Sequence, residues 1–272
     1  MLFVRIMNEE FRLLADFIER HYGIHLKEEK KLLVVTRLQQ LLQTLHINSF
    51  SEYYHYLLSD RTGHAQTALL NHITTNHTFF MREADHFYYF RDHVLPFLRD
   101  SVGNHDLRIW SAGCSTGEEP YTLSMIINDF WGKNVCLWDT QLLATDISER
   151  VLQKARAGRY SAQQIAHLPF HWKHDYFRPV DAQVYEMKPE IKASVIFRKF
   201  NLMLRPFPFK QPFHVIFCRN VMIYFSDEVK HALIQQFYDH TAPGGFLFIG
   251  HSEALIRSRT RYRYVAPSVF RK

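Results

Sequence analysis

The chain has 272 residues, 47% hydrophobic and 22% charged, with 10 glycines and 10 prolines, an ordinary globular mixture that excludes wholesale disorder and low-complexity or collagen-like classes. No apolar run approaches the ~18 residues of a membrane span, and three scattered cysteines (Cys114, Cys136, Cys218) suit neither a disulfide framework nor a zinc site; they read as thiols in a reducing cytosol. The formal charge of +6 is local: no acid follows Glu253 but six bases do, and without those six the chain balances at 27 bases and 27 acids, so the charge is no evidence for a nucleic-acid-binding body.

The opening MLFVRIMNEE carries too short an apolar run for a signal peptide. From residue 8 to about 100 the pattern is helical. Phe11, Leu14, Phe17 and Ile18 recur at helical spacing, and Gly23 stands where a helix stop belongs. A second stripe runs through Leu38, Leu41, Leu42 and Leu45. Ser49 or Ser51 suits the cap of SEYYHYLLSD, and HAQTALLNHI and DHFYYFRDHVLPFL continue the helical reading. On an uninterrupted helix Lys27, Lys30, Lys31 and Arg37 would share a face, either a dock for an acidic partner or a solvated helix start.

At Asp106 the pattern changes. LRIWSAG, TQLLATDIS, HVIFCRN and GGFLFIGHS read as strands, alternating with helices CSTGEEPYTLSMIINDF, SERVLQKARAG and DEVKHALIQQFYDH. Such alternation predicts a parallel sheet covered on both faces. The expected organisation is a helical domain over 1–100 and an α/β domain over 101–272. Residues 160–194, broken by Pro169, Pro179 and Pro189, form an inserted subdomain. Alternating Arg257, Arg259, Arg261 and Arg263 would line one face of a strand, as edge protection or as a surface for an acidic partner.

In an open parallel sheet, ligands bind where the strands end. The first strand runs into SAGCSTGEEP, whose Gly113 and Gly117 permit a tight turn but do not complete a dinucleotide fingerprint. Glu118 and Glu119 then stand at the helix mouth, where a diphosphate would otherwise sit, and two carboxylates repel one. Asp146 ends the second strand as an acceptor for a ribose diol, or as a cap. A ligand with a ribose and a positive charge but no phosphate points to S-adenosylmethionine. Upstream, ITTNHTFFMREADHF ties Asn76, Thr78 and Arg82 to an aromatic patch; alone, these residues also suit a capped helix with a surface arginine.

Together, TTNHTFFMRE, SAGCSTGEEPY, ATDIS, FRKFNL, IFCRNVMIYF and GGFLFIGHSE resemble, in order and spacing, the chemotaxis receptor methyltransferase family, CheR. GIHLKEEKKLLVVTRL and SFSEYYHYLL resemble that family's helical domain. The resemblance implies a helical N-terminal domain followed by a Rossmann-like α/β domain. It also implies S-adenosylmethionine-dependent methyl esterification of glutamates on the cytoplasmic helices of chemoreceptors, with S-adenosylhomocysteine as product. By the same resemblance, Asn76, Thr78, Arg82, Gly113, Glu118, Asp146, Asn201, Leu202, Arg219 and Asn220 face the cofactor, and Arg82 and Tyr224 serve the transfer. Phe79, Phe80 and Tyr224 would supply water-poor walls. Family members often carry alanine where Gly113 stands, and phenylalanine where Met81 stands. A cytoplasmic monomer without bound metal, nucleic acid or membrane insertion is expected. A cofactor-binding adaptor without turnover is the alternative.

Overall fold

A computed structural model describes residues 4–272, and within it the chain divides into two compact units. The first holds residues up to Thr75 together with Tyr224–Val229, and the second holds Asn76–Ile223 and Lys230–Lys272. The opening three residues of the segment read against a signal peptide lie outside the described residues.

In the first unit, α1 (Asn8–Tyr22), α2 (Lys31–Thr44), α3 (Phe50–Ser59) and α4 (His64–Ile73) surround one apolar core. The expected stripe of α1 is buried through Phe11, Leu14, Phe17 and Ile18, and Gly23 ends it at φ 72°, a left-handed position that favours glycine. The Ser49 hydroxyl accepts the Glu52 N–H at 3.1 Å and caps α3. The basic face expected from Lys27 to Arg37 does not form. Glu28–Lys30 is a 3-10 turn and α2 begins at Lys31, so the residues do not share one helix. Arg37 also donates to the Ile73 carbonyl and to the Thr75 hydroxyl.

The second unit begins with a helical rod: α5 (Ala84–Tyr89), a π turn over Phe90–Val94, and α6 (Leu95–Ser101). Pro96 lies inside the rod, where it has no N–H to give the preceding turn. The widened turn directly before it is the usual relief for such a break. Next in order come β1 (Ile109–Ala112), α7 (Glu118–Trp131), β2 (Leu142–Asp146) and α8 (Glu149–Ala157). The insertion follows, with β3 (Arg159–Ser161), α9 (Ala162–Ile165), α10 (Phe170–Tyr176), β4 (Phe177–Pro179), β5 (Val184–Met187) and α11 (Pro189–Ala193). The chain closes with β6 (Val195–Lys199), β7 (Phe213–Cys218), α12 (Asp227–Asp239), β8 (Thr241–Ile249), β9 (Arg263–Ala266) and β10 (Val269–Arg271).

Seven strands make one sheet in the order β6-β2-β1-β7-β8-β10-β9, parallel from β6 to β8 and antiparallel through β10 and β9. β3, β5 and β4 form a separate antiparallel sheet, which gives the expected subdomain its own frame. All four residues of β1 are buried, so both faces of the main sheet are covered. On one face Trp110 meets Phe200, Phe207, Phe209, Phe213 and Phe237. On the other, Phe217 and Phe248 stack at 4.3 Å, with Phe87 and Phe90 of the rod against them.

That second cluster draws the line between the units earlier than the residue 100 expected from sequence. Phe87, Phe90, Val94, Leu95 and Leu98 share the core of the sheet, so residues 84–101 belong with it despite their helical grammar. The expected arginine strand also resolves differently: Arg257–Arg259 is a 3-10 turn, and β9 starts only at Arg263.

Phe90→Ala is therefore expected to cost about 3–5 kcal/mol, the range for a buried phenylalanine. Denaturant unfolding followed by near-UV circular dichroism checks this. A change within the small range of a surface substitution would place the rod outside the sheet's core.

Candidate active site at the strand ends

From β1 the chain passes through β2 to β6 on one side, then crosses to β7 on the other. The crevice at the ends of β1 and β7 is thus a topological switch point, where open α/β sheets bind ligands. The connections leaving β1, β2, β6, β7 and β8 bring there most of the residues singled out from sequence.

Gly113 has φ 89°, and a Cβ on it would run into the Val221 side chain; Gly117 has φ 97° and lies 3.0 Å from Ala155 Cβ by the same measure. Both glycines are required by backbone shape and close approach. Between them Ser115, at φ 49°, donates its N–H to Asp146 Oδ2 at 2.9 Å and its hydroxyl to the Asn76 carbonyl at 3.1 Å. The Ser148 N–H reaches Asp146 Oδ1 at 2.9 Å. Two backbone donors thus fix the carboxylate in place. The Phe200 N–H donates to the Asp146 carbonyl at 2.9 Å, which brings the end of β6 alongside, with Asn201 and the buried Leu202 next in chain. Asn201 Oδ1 accepts the Met203 N–H.

Glu118 is almost fully buried and accepts a hydrogen bond from the Thr116 hydroxyl at 2.7 Å. Burial pushes its carboxyl above the usual range, and burial does the same for Asp146 against the pull of the Ser148 and Ser115 N–H groups. A polar rim with two acids at this turn suits an ammonium and a diol, and opposes a diphosphate. The residues therefore fit the cofactor inferred from sequence.

Arg219 is held inside the unit. Its guanidinium is nearly sealed from solvent. One Nη donates to Glu119 Oε2 at 3.0 Å; the other donates to Glu83 Oε2 at 3.2 Å and to the Arg82 carbonyl. It also lies over the Phe87 ring at 5.0 Å. The group is an internal strut joining β7, α7 and the start of α5. Asn220, at φ 59°, gives its Nδ2 to Glu83 Oε1 at 3.0 Å. Glu83, itself at φ 55°, also accepts the His251 N–H at 3.1 Å. Burial raises the Glu83 pKa, but Asn220 and Arg219 outweigh it and hold the carboxyl below its usual range. Glu119 stays above its own, because burial exceeds the help from Arg219 and from Ser111, whose hydroxyl donates at 2.7 Å.

The upstream motif separates on folding. Asn76, Thr78 and Arg82 are half-buried, and Arg82 Nη1 folds back on the His77 carbonyl at 2.7 Å. Phe79 is exposed, whereas Phe80 is fully buried against Tyr160 and Phe177 and is core, not a wall of the site. Tyr224 belongs to the first unit, where its carbonyl accepts the His25 N–H at 2.7 Å. Glu83 and Glu253 escaped the sequence reading as site residues, although each closes a quoted string, TTNHTFFMRE and GGFLFIGHSE.

Glu83, His86 and His251 place potential metal donors within 4.8 Å of one another. Glu83 already serves Arg219, Asn220 and the His251 N–H, and a cation there would face the Arg219 charge. Burial, with Arg219 and His251 adding to it, lowers His86 to about 3, so it is neutral at physiological pH.

Family comparison agrees with this geometry. Residues 9–74 match the CheR methyltransferase all-alpha domain, and residues 76–270 match the CheR methyltransferase SAM binding domain. The chain belongs to the CheR methyltransferase family. A chemotaxis protein methyltransferase of Borreliella burgdorferi is 38% identical over 99% of this chain and 96% of its own length. A chemotaxis protein methyltransferase 1 of Pseudomonas aeruginosa and a chemotaxis protein methyltransferase of Escherichia coli are 36% and 34% identical. They cover 95% and 97% of this chain and 94% and 91% of their own lengths. This CheR chain is therefore an S-adenosylmethionine-dependent methyltransferase with a helical N-terminal domain and a Rossmann-like catalytic domain. Its family boundary, between 74 and 76, coincides with the division of the two units.

Arg219→Ala would strand the Glu83 and Glu119 carboxylates inside the unit and is expected to cost about 3–5 kcal/mol. Adding Glu119→Gln removes one stranded charge and should restore part of that loss. Urea unfolding of the single and double variants reads the coupling, and additive costs would deny the strut.

Proposed function

We propose that this CheR chain methylates glutamate side chains on the cytoplasmic helices of chemoreceptors, releasing S-adenosylhomocysteine. The carrying observation is the pair of carboxylates, buried Glu118 and half-buried Asp146, at a switch point in a chain of this family. In this reading Asp146 accepts from the ribose diol, Glu118 meets the amino-acid end, and Asn201 and Leu202 lie by the adenine. Asn76, Thr78, Gly113 and Asn220 line the same site, with Arg219 supporting it from behind. The proposed setting is the cytoplasm.

S-adenosylmethionine supplies an electrophilic methyl group on a positively charged sulfur. The acceptor carboxylate oxygen forms the new bond to that carbon while the carbon–sulfur pair leaves with sulfur. No proton moves, because a glutamate with pKa about 4.3 is already ionised near neutrality. The 17 histidines of the chain are not needed as bases. Opposite charges cancel during the transfer, so exclusion of water favours it, and the protein's task is alignment, with the reacting atoms about 3–3.5 Å apart. Arg82 and Tyr224, carried over from the family motif, are assigned to positioning. A tight Arg82 ion pair with the acceptor would hold back the ground state, so its role is orientation.

Tritium transfer from labelled S-adenosylmethionine to a chemoreceptor cytoplasmic fragment tests the reading. Label released by base as methanol, and reduced at least tenfold in Arg82→Ala, is the expected result. Base-stable label would overturn glutamate as the acceptor, and cofactor binding without transfer to receptors of the same organism would favour an adaptor.

Cofactor affinity should also weaken in acid. Burial raises Glu118 and Asp146 above their ordinary values of 4.5 and 3.8, and an ammonium and a diol prefer the ionised forms. Binding is then fully developed above the raised values and is lost as pH falls through them. Asp146→Asn should cost one to two powers of ten in affinity, the range of a charged hydrogen bond. Calorimetry across pH checks both; affinity independent of pH down to 4.5 would exclude these carboxylates.

A further inference from the structure

The connection after β7 carries Arg219 and Asn220 and runs on to Tyr224, yet it is not a regular element until the 3-10 turn Met222–Tyr224. Its backbone N–H groups therefore need partners from elsewhere. One side chain provides them. Glu253 Oε2 accepts the Asn220 N–H at 3.0 Å and the Gly250 N–H at 2.6 Å, and Oε1 accepts the Ile223 N–H at 3.2 Å. The Met222 N–H also acts on this carboxylate. Four main-chain donors thus converge on one largely buried carboxyl from the loop after β8. Such bonds to a charged acceptor are the strong kind.

The surroundings are built for this contact. A Cβ on Gly250 would lie 2.6 Å from Asn220 Nδ2 and 2.8 Å from Asn220 N, so glycine alone admits the approach. Asn220 sits in the left-handed region at φ 59°, a conformation that persists only where surrounding bonds impose it. Glu83 takes the Asn220 side chain while Glu253 takes its main chain. The two carboxylates therefore divide the loop between them.

We propose that Glu253 is a positioning residue for methyl transfer, setting the path of Asn220–Ile223 through its main-chain N–H groups without touching either reactant. This rests on the methyltransferase reading above. It predicts a split between binding and turnover. Arg219 is held by Glu119 and Glu83, and the Asn220 side chain by Glu83, none of them through Glu253, so cofactor affinity should survive a change there while alignment is lost. In Glu253→Gln the amide presents N–H groups to backbone donors on at least one side, which removes the convergence while keeping the shape.

Two measurements test it. Amide hydrogen exchange on the wild-type protein should show Asn220, Met222 and Ile223 protected comparably with β7, and at least tenfold faster exchange in folded Glu253→Gln with β7 unchanged. Methyl transfer to the receptor fragment should fall at least tenfold in kcat in that variant, with the Kd for S-adenosylhomocysteine within threefold. Unprotected loop amides in the wild type, or kcat within twofold in the variant, would overturn the proposal. So would a parallel loss of kcat and affinity in the folded variant, which marks a merely structural residue. Should Glu253→Gln fail to fold, Glu253→Asp takes the same assays and the wild-type exchange stands by itself. Wild-type protein inactive on every receptor would count against the function reading alone, since the exchange result does not depend on activity.

Discussion

A guanidinium buried between two carboxylates organises the catalytic unit. Arg219 is removed from water almost entirely, at a cost that is tolerable only with compensation from nearby acceptors. Glu119 and Glu83 supply it, with the Arg82 carbonyl taking a further N–H and the Phe87 ring lying beneath. These partners come from the start of α7, the start of α5 and the motif preceding it. Satisfying one charge therefore draws two separate chain segments, residues 82–87 and the start of α7, to the end of β7. Arg219 thus ties β7 to α7 and to the start of α5.

Around that strut the backbone is held in uncommon conformations. Met81, Glu83, Ser115 and Asn220 all have positive φ, and all belong to the connections at this end of the sheet. Each conformation is maintained by specific bonds, such as Ser115 N–H to Asp146 and Asn220 to Glu83 and Glu253. Strain held in this way keeps a site in one geometry before its ligand arrives. That matters for a reaction with no proton transfer to accelerate, in which alignment and dryness are the protein's main contributions.

The electrostatics follow the same economy. Acids gather where a phosphate-binding enzyme would place helix N–H groups and bases. Burial holds Glu118 and Asp146 above their usual pKa range. The acids supporting the frame differ: Glu83 is depressed because its hydrogen-bond donors and the nearby guanidinium exceed its desolvation.

Much of this was legible in the chain itself. Short runs of large apolar residues alternating with helical stretches located β1, β2, β7 and β8, and helical periodicity located the stripe of α1, because those patterns follow from which surfaces must be buried. The glycines at 113 and 117 were legible as turn residues, since a turn that needs positive φ is a local property. Other features depended on encounters between distant residues. Arg219 meets Glu119 across 100 positions of sequence and Glu83 across 136. The burial of Phe80, the allegiance of residues 84–101 to the sheet and the four N–H groups on Glu253 also arise only when the sheet closes. Periodicity tells which face of an element is apolar, but not which neighbour covers it. Residue type tells which side chains carry charge, but only the packed tertiary structure decided whether that charge faced a ligand or another part of the chain.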